Sequence, residues 1–143
     1  MPLTILGRFK PSRIRLPLFS SLVAAGFPSP ADDHIEAELD VLDLFVRHPA
    51  ATYYLRVGGD SMREKGIFKG DTIVVDRSLT PRAGSVVVAI VRGDFTCKEL
   101  DFEDGLPVLR AANPHYPDIR LAAEDELEVF GVVTHNIHAL PGG

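Results

Sequence analysis

The sequence has few of the features that would direct a chain to an oxidising compartment or a membrane. It contains one cysteine, Cys97, so an internal disulfide cannot form. No apolar run approaches the roughly 20 residues that a membrane-spanning helix needs, and no membrane association is expected. With 143 residues, 45% hydrophobic and 24% charged, the chain has the length and composition of one folded domain with a core of its own.

Acidic residues are absent from the first 25 positions, which carry four basic residues and a charge of +4. The rest of the chain carries −9, because the formal net charge is −5. Such an acidic body argues against broad binding to nucleic acid, and no direct sequence-specific nucleic-acid binding is expected. The first 25 residues are therefore basic, whereas the rest of the chain is acidic.

Prolines are frequent near the N-terminus, with five between positions 2 and 30. They block long helices and central strands, so residues 1–25 are predicted to be an extended, mobile arm. Residues 26–50 are predicted to be a linker with a short helical or docking segment. Apolar residues recur there at near-helical spacing from Ile35 to Phe45, and the pattern ends before Pro49.

From residue 52 onward the sequence is rich in Val, Ile, Tyr, Phe and Thr, and turn signals divide it into seven short segments. Seven strands at this spacing predict a mostly β fold for residues 51–143, with a compact barrel-like or sandwich-like body. The segments are TYYLRV, DTIVVD, SVVVAIVRG, DFTCKEL, LPVLRAA, DIRLA and ELEVFGVVTHNIHAL.

Ser61 follows Gly58, Gly59 and Asp60 at a predicted strand end. Glycines there allow a sharp turn and the close approach of another chain. Most serines in turns only make local hydrogen bonds, and a nucleophilic serine needs a base. The histidines stand beside no partner motif, although a triad assembled in space stays open. They are His34, His48, His115, His135 and His138.

Lys98 is the other candidate base, because it lies in the partly apolar segment DFTCKEL. Burial lowers the pKa of a lysine, and a neutral amine can remove a serine proton, as in the Ser-Lys variant of the catalytic triad. On a strand, Thr96 projects from the same face as Lys98 and can hold the amine. Cys97 projects from the opposite face and is predicted to be a small buried hydrophobe. The alternative for Lys98 is an ordinary surface charge.

The segment HNIH, residues 135–138, invites a metal-binding hypothesis. A three-residue step on a strand sends its two imidazoles to opposite faces, and no cysteine or carboxylate cluster lies beside it. Neither a metal site nor a cofactor is therefore expected. Asp60 is a candidate for tuning the Ser61 site, whereas Asp71 is predicted to serve a turn.

Several motifs in a fixed order resemble the LexA/UmuD family of self-cleaving serine peptidases. They are GDSM at 59–62, GIFKGDTIVVDRS at 66–78, FTCKEL at 95–100 and DELEVFGVV at 125–133. The resemblance implies that Ser61 is the nucleophile and that Lys98, 37 residues later, is the base. Thr96 and Met62 are then supporting residues, and 51–143 is an all-β Ser-Lys peptidase domain.

The resemblance also implies a target bond between Ala25 and Gly26. Small residues let the backbone approach Ser61 closely, and an extended segment can add to a sheet edge beside the nucleophile. Cleavage would divide the chain into the arm, 1–25, and an active form, 26–143. Cleavage within one chain and between two copies both remain open.

Within the family, GFPSPADD at 26–33 and HPAATYYLRVGGDSM at 48–62 resemble the UmuD branch. That branch implies a homodimer in the bacterial cytoplasm that serves a translesion DNA polymerase through a UmuC-type subunit. Self-cleavage would follow contact with a RecA–single-stranded DNA filament during the SOS response to DNA damage. Operator binding is not expected, because only 25 residues precede Gly26, too few for a three-helix DNA-binding module.

Two alternatives of other classes remain. A chain with the same fold could act only as a non-catalytic, dimerising module that binds a polymerase. The basic and apolar arm also has some features of a signal peptide, which would indicate an exported protein.

Overall fold

The computed structural model describes residues 3–8, 15–19, 35–40 and 44–142. The chain divides into two units, one made of Met1–Phe9 with His48–Gly143 and the other of Lys10–Arg47. Short 3-10 helices occupy Pro49–Ala51 and Arg63–Lys65. None of the helices in these described ranges has the length and apolar character to cross a membrane.

Ten strands make up most of the regular structure in the described ranges. They are β1 (Leu3–Arg8), β2 (Arg15–Phe19), β3 (Ile35–Asp40), β4 (Thr52–Val57), β5 (Thr72–Asp76), β6 (Val86–Val91), β7 (Asp94–Glu103), β8 (Leu106–Arg110), β9 (Ile119–Arg120) and β10 (Glu128–Ile137). The first unit is one antiparallel sheet of eight strands in the order β1-β4-β5-β10-β6-β7-β8-β9. The seven predicted strands of the body correspond to β4–β10, so the mostly β fold is confirmed.

The predicted barrel-like body needs a correction in one respect. A barrel closes when its first and last strands pair, whereas β1 and β9 end a linear order among the described strands. β9 has two residues and pairs with β8, so it offers too short an edge for closure. The sheet is therefore open.

Gly131 lies at a register shift in β10, where the strand passes very close to β5. A Cβ atom at this position would lie 2.6 Å from Cγ1 of Val75 and 3.2 Å from the carbonyl oxygen of Asp76. A glycine is therefore required for the two strands to approach this closely.

The core of the sheet consists of two clusters of buried side chains. Neighbouring residues of β6 enter different clusters, Val88 the larger and Val87 the smaller, because side chains alternate along a strand. Cys97 is fully buried in the larger cluster, which confirms that it is a small core residue. Burial raises the pKa of its thiol to about 12.

The second unit contains a two-stranded antiparallel ladder of β2 and β3, in which Arg15 is opposite Asp40 and Leu18 is opposite Ala37. For residues 26–50 the sequence predicts a short helical or docking segment, and the helical alternative is wrong for Ile35–Asp40, because these residues form a strand. The segment IEAELD alternates apolar and acidic residues, and this period of two outweighs the near-helical spacing. The other alternative, a docking segment within residues 26–50, stays a prediction.

Candidate active site

Ser61 lies in the loop that joins β4 to β5, and hydrogen bonds close this loop at its base. The amide of Val57 donates to the carbonyl of Asp71 over 2.9 Å, and the amide of Gly70 donates to the carbonyl of Val57 over 2.7 Å. The carboxylate of Asp71 accepts from the amide of Phe68 at 2.8 Å, so its predicted role in a turn is confirmed.

The C-terminal end of β10 also holds Asp71, which is almost fully buried. Its carboxylate accepts from Nδ2 of Asn136 at 2.8 Å and lies 2.5 Å from Nδ1 of His138. Burial raises the pKa of Asp71, but these hydrogen bonds outweigh burial, and its pKa lies below the usual value. The base of the Ser61 loop is therefore fixed by a buried carboxylate that stays ionised.

Met62 anchors the loop in the core. Its side chain is fully buried in the larger cluster, and its carbonyl accepts from the amides of Lys65 at 3.0 Å and Ile67 at 3.3 Å. The 3-10 helix that follows ends at Lys65, and its C-cap is Gly66, whose φ of 81° favours glycine. Ser61 is therefore next to a residue that cannot move without disturbing the core.

A second segment, residues 112–116, holds the loop from elsewhere in the sheet, and the sequence did not reveal this role. The amide of Ala112 donates to the carbonyl of Ser61, and the amide of Glu64 donates to the carbonyl of Ala112, both over 2.8 Å. These two bonds tie the loop to the chain just after β8.

The residue before the serine, Asp60, is held by the same segment. Asn113 is buried and donates from Nδ2 to the carbonyl of Asp60 at 3.0 Å. Tyr116 donates its hydroxyl to the Asp60 carboxylate at 2.5 Å, and this bond lowers the pKa of Asp60 and raises that of Tyr116. Asp60 therefore acts as an anchor for the loop. NPHYPD marked a turn in the sequence, but no pattern showed which distant loop it would hold.

Lys98 extends from β7 to Ser61. Its Nζ lies 3.0 Å from Oγ of Ser61, 3.0 Å from Oγ1 of Thr96 and 3.2 Å from the carbonyl oxygen of Cys97. The exposed fractions are 0% for Ser61, 4% for Lys98 and 6% for Thr96. The structure thus brings together three residues that the sequence singled out, in a place that water barely reaches.

Burial lowers the pKa of Lys98 below its usual value of 10.5 and outweighs the opposing effect of the neighbouring Cys97. The contacts of its Nζ among the described residues are two hydroxyls and a carbonyl, and it takes part in none of the ion pairs found there. A neutral amine at 3.0 Å can accept a hydroxyl proton. The arrangement can therefore generate a serine nucleophile.

A cleft of about 560 Å³ opens beside Thr96. Thr96 is the lining residue that contacts the amine of Lys98, and neither Ser61 nor Lys98 lines this cleft. Its lining residues are Leu3, Val91, Arg92, Asp94, Phe95, Thr96 and Ile119.

Three of the histidines, His48, His135 and His138, have other partners in the described residues. Nδ1 of His48 lies 2.6 Å from the carboxylate of Asp76, and Nδ1 of His135 lies 3.0 Å from the hydroxyl of Thr134. His138 lies beyond the end of β10, so the two-face argument for HNIH applies only up to residue 137. In the described part of the chain, no group of three or more His, Cys, Asp or Glu residues could hold a metal ion.

Several predicted features fall outside the described residues, among them the motif GFPSPADD at 26–33 and two features of the candidate site. The latter are the Ala25–Gly26 bond and His34, and they stay predictions.

The sequence profile of the Peptidase S24-like family matches residues 17–134. The chain belongs to this family. Among its relatives, SamA of Salmonella typhimurium strain LT2 is 42% identical over 138 residues, which is 96% of each chain. MucA of Escherichia coli is 43% identical over 123 residues, 85% of this chain and 84% of its own. The LexA repressor of Bordetella avium is 37% identical over 132 residues, 89% of this chain and 61% of its own.

These similarities confirm the predicted resemblance to the LexA/UmuD family and its UmuD-like members. The part that matches the Peptidase S24-like profile contains Ser61, Lys98 and the 112–116 segment. Family membership supports a peptidase, and the buried pair, which lies within the matched part, can supply a nucleophile and a base.

Proposed function

We propose that this chain is a UmuD-like accessory subunit of a translesion DNA polymerase, and that it cuts its own Ala25–Gly26 bond during the SOS response. The observation that carries the peptidase is the 3.0 Å separation of Nζ of Lys98 and Oγ of Ser61 in a buried site. Similarity to SamA and MucA over most of both chains supports the role as an accessory subunit.

In the proposed reaction Lys98 is the general base. Its neutral amine accepts the hydroxyl proton of Ser61, and the Ser61 oxygen attacks the carbonyl carbon of Ala25. Thr96 holds the amine by a hydrogen bond. Because burial lowers the pKa of Lys98, a larger fraction of the amine is neutral near neutral pH than for an exposed lysine.

The protonated lysine then serves as the general acid. As the bond between Ala25 and Gly26 breaks, the ammonium of Lys98 gives its proton to the leaving amine, and an ester forms on Ser61. Water that Lys98 deprotonates attacks this ester, the bond to Ser61 breaks, and Lys98 returns the proton to the Ser61 oxygen as the carboxyl group of Ala25 is released. Backbone amides of the Ser61 loop stabilise the oxyanion, and the 112–116 segment keeps these donors in place.

Cleavage separates the arm, 1–25, from residues 26–143. In this proposal the shorter form is a homodimer that joins a UmuC-type polymerase subunit, and a RecA–single-stranded DNA filament stimulates the reaction. Removal of a basic segment from an acidic body changes the surface that a partner meets.

Intact-mass measurement over time tests the peptidase. Purified wild type is incubated at neutral and at alkaline pH, with and without a RecA–single-stranded DNA filament. We expect two products whose masses place the cut after residue 25, with faster cleavage at alkaline pH. Ser61→Ala and Lys98→Ala should each be slower by at least about a thousandfold.

Lys69→Ala is the matched control, because Lys69 is an exposed lysine in the same loop and should not change the rate. Cleavage of Ser61→Ala at the wild-type rate would refute the mechanism. A wild type that stays intact under every condition would leave only a non-catalytic, polymerase-binding module.

A further inference from the structure

The proposed cut lies between strands that pair with each other. β1 and β2 are both within residues 1–25, whereas their partners, β4 and β3, are both within residues 26–143. One ladder lies in each unit of the chain. Hydrolysis of one peptide bond therefore leaves two hydrogen-bonded ladders that still join the products.

We propose that cleavage first gives a nicked protein, in which the arm stays bound as added strands, and that the outer edge of β4 is a peptide-binding site. The arm is the first occupant of this site, and another extended segment can take its place only after the bond is cut. The nicked state rests on the proposed function, because that function places the cut. The pairing of β1 with β4 does not depend on the proposed function.

The ladder between β1 and β4 covers residues 53–57 of β4, with one register shift between Ile5 and Gly7. β1 is the outermost strand on this side of the sheet. When β1 leaves, the backbone N–H and C=O groups of β4 that faced it lose their partners and become a template for another strand. Opposite pairs are Leu3 with Val57, Thr4 with Arg56, Ile5 with Leu55, Gly7 with Tyr54 and Arg8 with Tyr53.

Leu3 gives the site a side-chain contact in addition to its backbone bonds. It is partly buried and packs against the larger core cluster, which includes Leu55, Val57 and Met62. Departure of the arm would therefore expose apolar surface on the cluster that anchors the Ser61 loop. This contact favours an occupant with a large apolar residue at the position of Leu3.

The chemistry of the site defines its ligand as an extended peptide. Main-chain hydrogen bonds to β4 supply affinity, and the position of Leu3 supplies selectivity. Before cleavage the arm is tethered, so a competing peptide works against a high effective concentration. After cleavage the arm binds only through its ladders, and a partner's strand can displace it. Release of the arm is thus a step separate from the chemistry.

Native mass spectrometry of the self-cleaved wild type tests the nicked state. We expect the mass of the intact chain plus one water for each copy in the native assembly, and two separate product masses in denaturant. Two separate masses immediately after cleavage under native conditions would overturn it. Failure to cleave would instead refute the proposed function, and the pairing of β1 with β4 would still be decided by the next experiment.

Amide hydrogen exchange of uncleaved Ser61→Ala protein tests the pairing. Thr4→Pro/Ile5→Pro is added to this background, because amides of consecutive strand residues face alternate sides and one of the two must point toward β4. We expect the β4 amides that face β1 to exchange at least about tenfold faster, while those that face β5 change little. Thr4→Val/Ile5→Val keeps both N–H groups and should leave exchange unchanged. Equal protection in the proline variant would overturn the pairing.

Fluorescence anisotropy with a labelled synthetic peptide of residues 1–12 tests the exchange of occupants. We expect the peptide to bind the cleaved protein, to bind uncleaved Ser61→Ala protein at least about tenfold more weakly, and to lose binding when it carries both prolines. Equal binding to the cleaved and uncleaved proteins, or equal binding of the proline peptide, would overturn the assignment of the β4 edge.

Discussion

Lys98 and Arg110 lie on neighbouring strands of one sheet and have opposite surroundings. Lys98 on β7 contacts two hydroxyls and a carbonyl. Arg110 on β8 contacts three carboxylates, each at 2.8 Å, from Asp101, Glu103 and Asp118. The hydrogen bond to Glu103 is the main reason that the pKa of Arg110 is raised, whereas burial lowers that of Lys98.

This difference separates a structural cation from one that is able to do chemistry. The guanidinium among carboxylates stays charged and ties two strands to the segment before β9. The amine among neutral groups has no such partner in the described residues, so the loss of its proton breaks no ion pair. The partners of a cation, more than its position in the sheet, decide whether it can act as a base.

The largest effect is expected when Lys98 is given the surroundings of Arg110. Thr96→Asp places a carboxylate next to the amine, which raises the pKa of Lys98 and keeps it protonated. We expect self-cleavage near neutral pH to slow by at least about a hundredfold and to recover partly at higher pH. Time courses by intact mass across pH measure both effects.

Thr96→Asn is the control for this substitution, because it has nearly the shape of the aspartate without the charge. The midpoint of its pH profile of cleavage should lie close to that of the wild type. If Thr96→Asp and Thr96→Asn have the same pH profile of cleavage, the neutral surroundings of Lys98 do not account for its proposed role as a base.

A smaller effect is expected when the geometry changes and the charge does not. Asn113→Ala removes the hydrogen bond to the carbonyl of Asp60 and loosens the Ser61 loop. We expect cleavage to slow about tenfold at every pH, with the midpoint of the pH profile unchanged, because positioning alone is lost. His115→Ala, an exposed change in the same segment, should cleave at the wild-type rate. A shifted midpoint for Asn113→Ala would contradict a purely positioning role.

The cost of burying Lys98 should be visible in stability. Its pKa is lower in the folded than in the unfolded chain, so the unfolded chain binds more protons between the folded pKa and 10.5, and stability rises with pH over that interval. Lys98→Met does not titrate there. We expect Ser61→Ala/Lys98→Met to have a larger free energy of unfolding than Ser61→Ala near neutral pH. The difference between the two proteins should become smaller as pH rises. Urea unfolding at several pH values checks this, and a gap that widens with pH would contradict it.

The smallest effect is expected at Arg110, because its ion pairs are partly exposed. Arg110→Met should leave the cleavage rate within about twofold of wild type and lower the stability slightly, with a smaller loss at high salt. Thermal unfolding at two salt concentrations and the cleavage assay measure this. A changed pH profile of cleavage would show that the network influences Lys98 after all.

The seven strands of the body were predictable, because turn signals such as FKGD and EDG separate segments rich in β-branched residues. The strands β1 and β2 were not, because proline content argues against helices without showing which segments will pair. For β3, the near-helical spacing of apolar residues indicated a helix, whereas the alternation of apolar and acidic residues in IEAELD indicates the strand that forms. Whether the sheet closes depends on the pairing of its end strands, which no local pattern encodes.

For the candidate site, motifs pointed to Ser61 and Lys98 through a family resemblance, and strand alternation added Thr96. Composition alone left the histidines open as partners. Asn113 was missed because its contact is made to a loop 53 residues away. A side chain that holds a distant backbone carbonyl leaves no periodic signal in the sequence.

The contact at Gly131 limits how this protein can change over evolutionary time. Any side chain there would collide with Val75, on the strand that follows Asp71 and the base of the Ser61 loop. Under the proposed function, a lineage can therefore lose self-cleavage through a substitution at Gly131, with Ser61 and Lys98 both intact in the gene. Counting Ser61 and Lys98 in related genomes would then overestimate how many of their products can still cut.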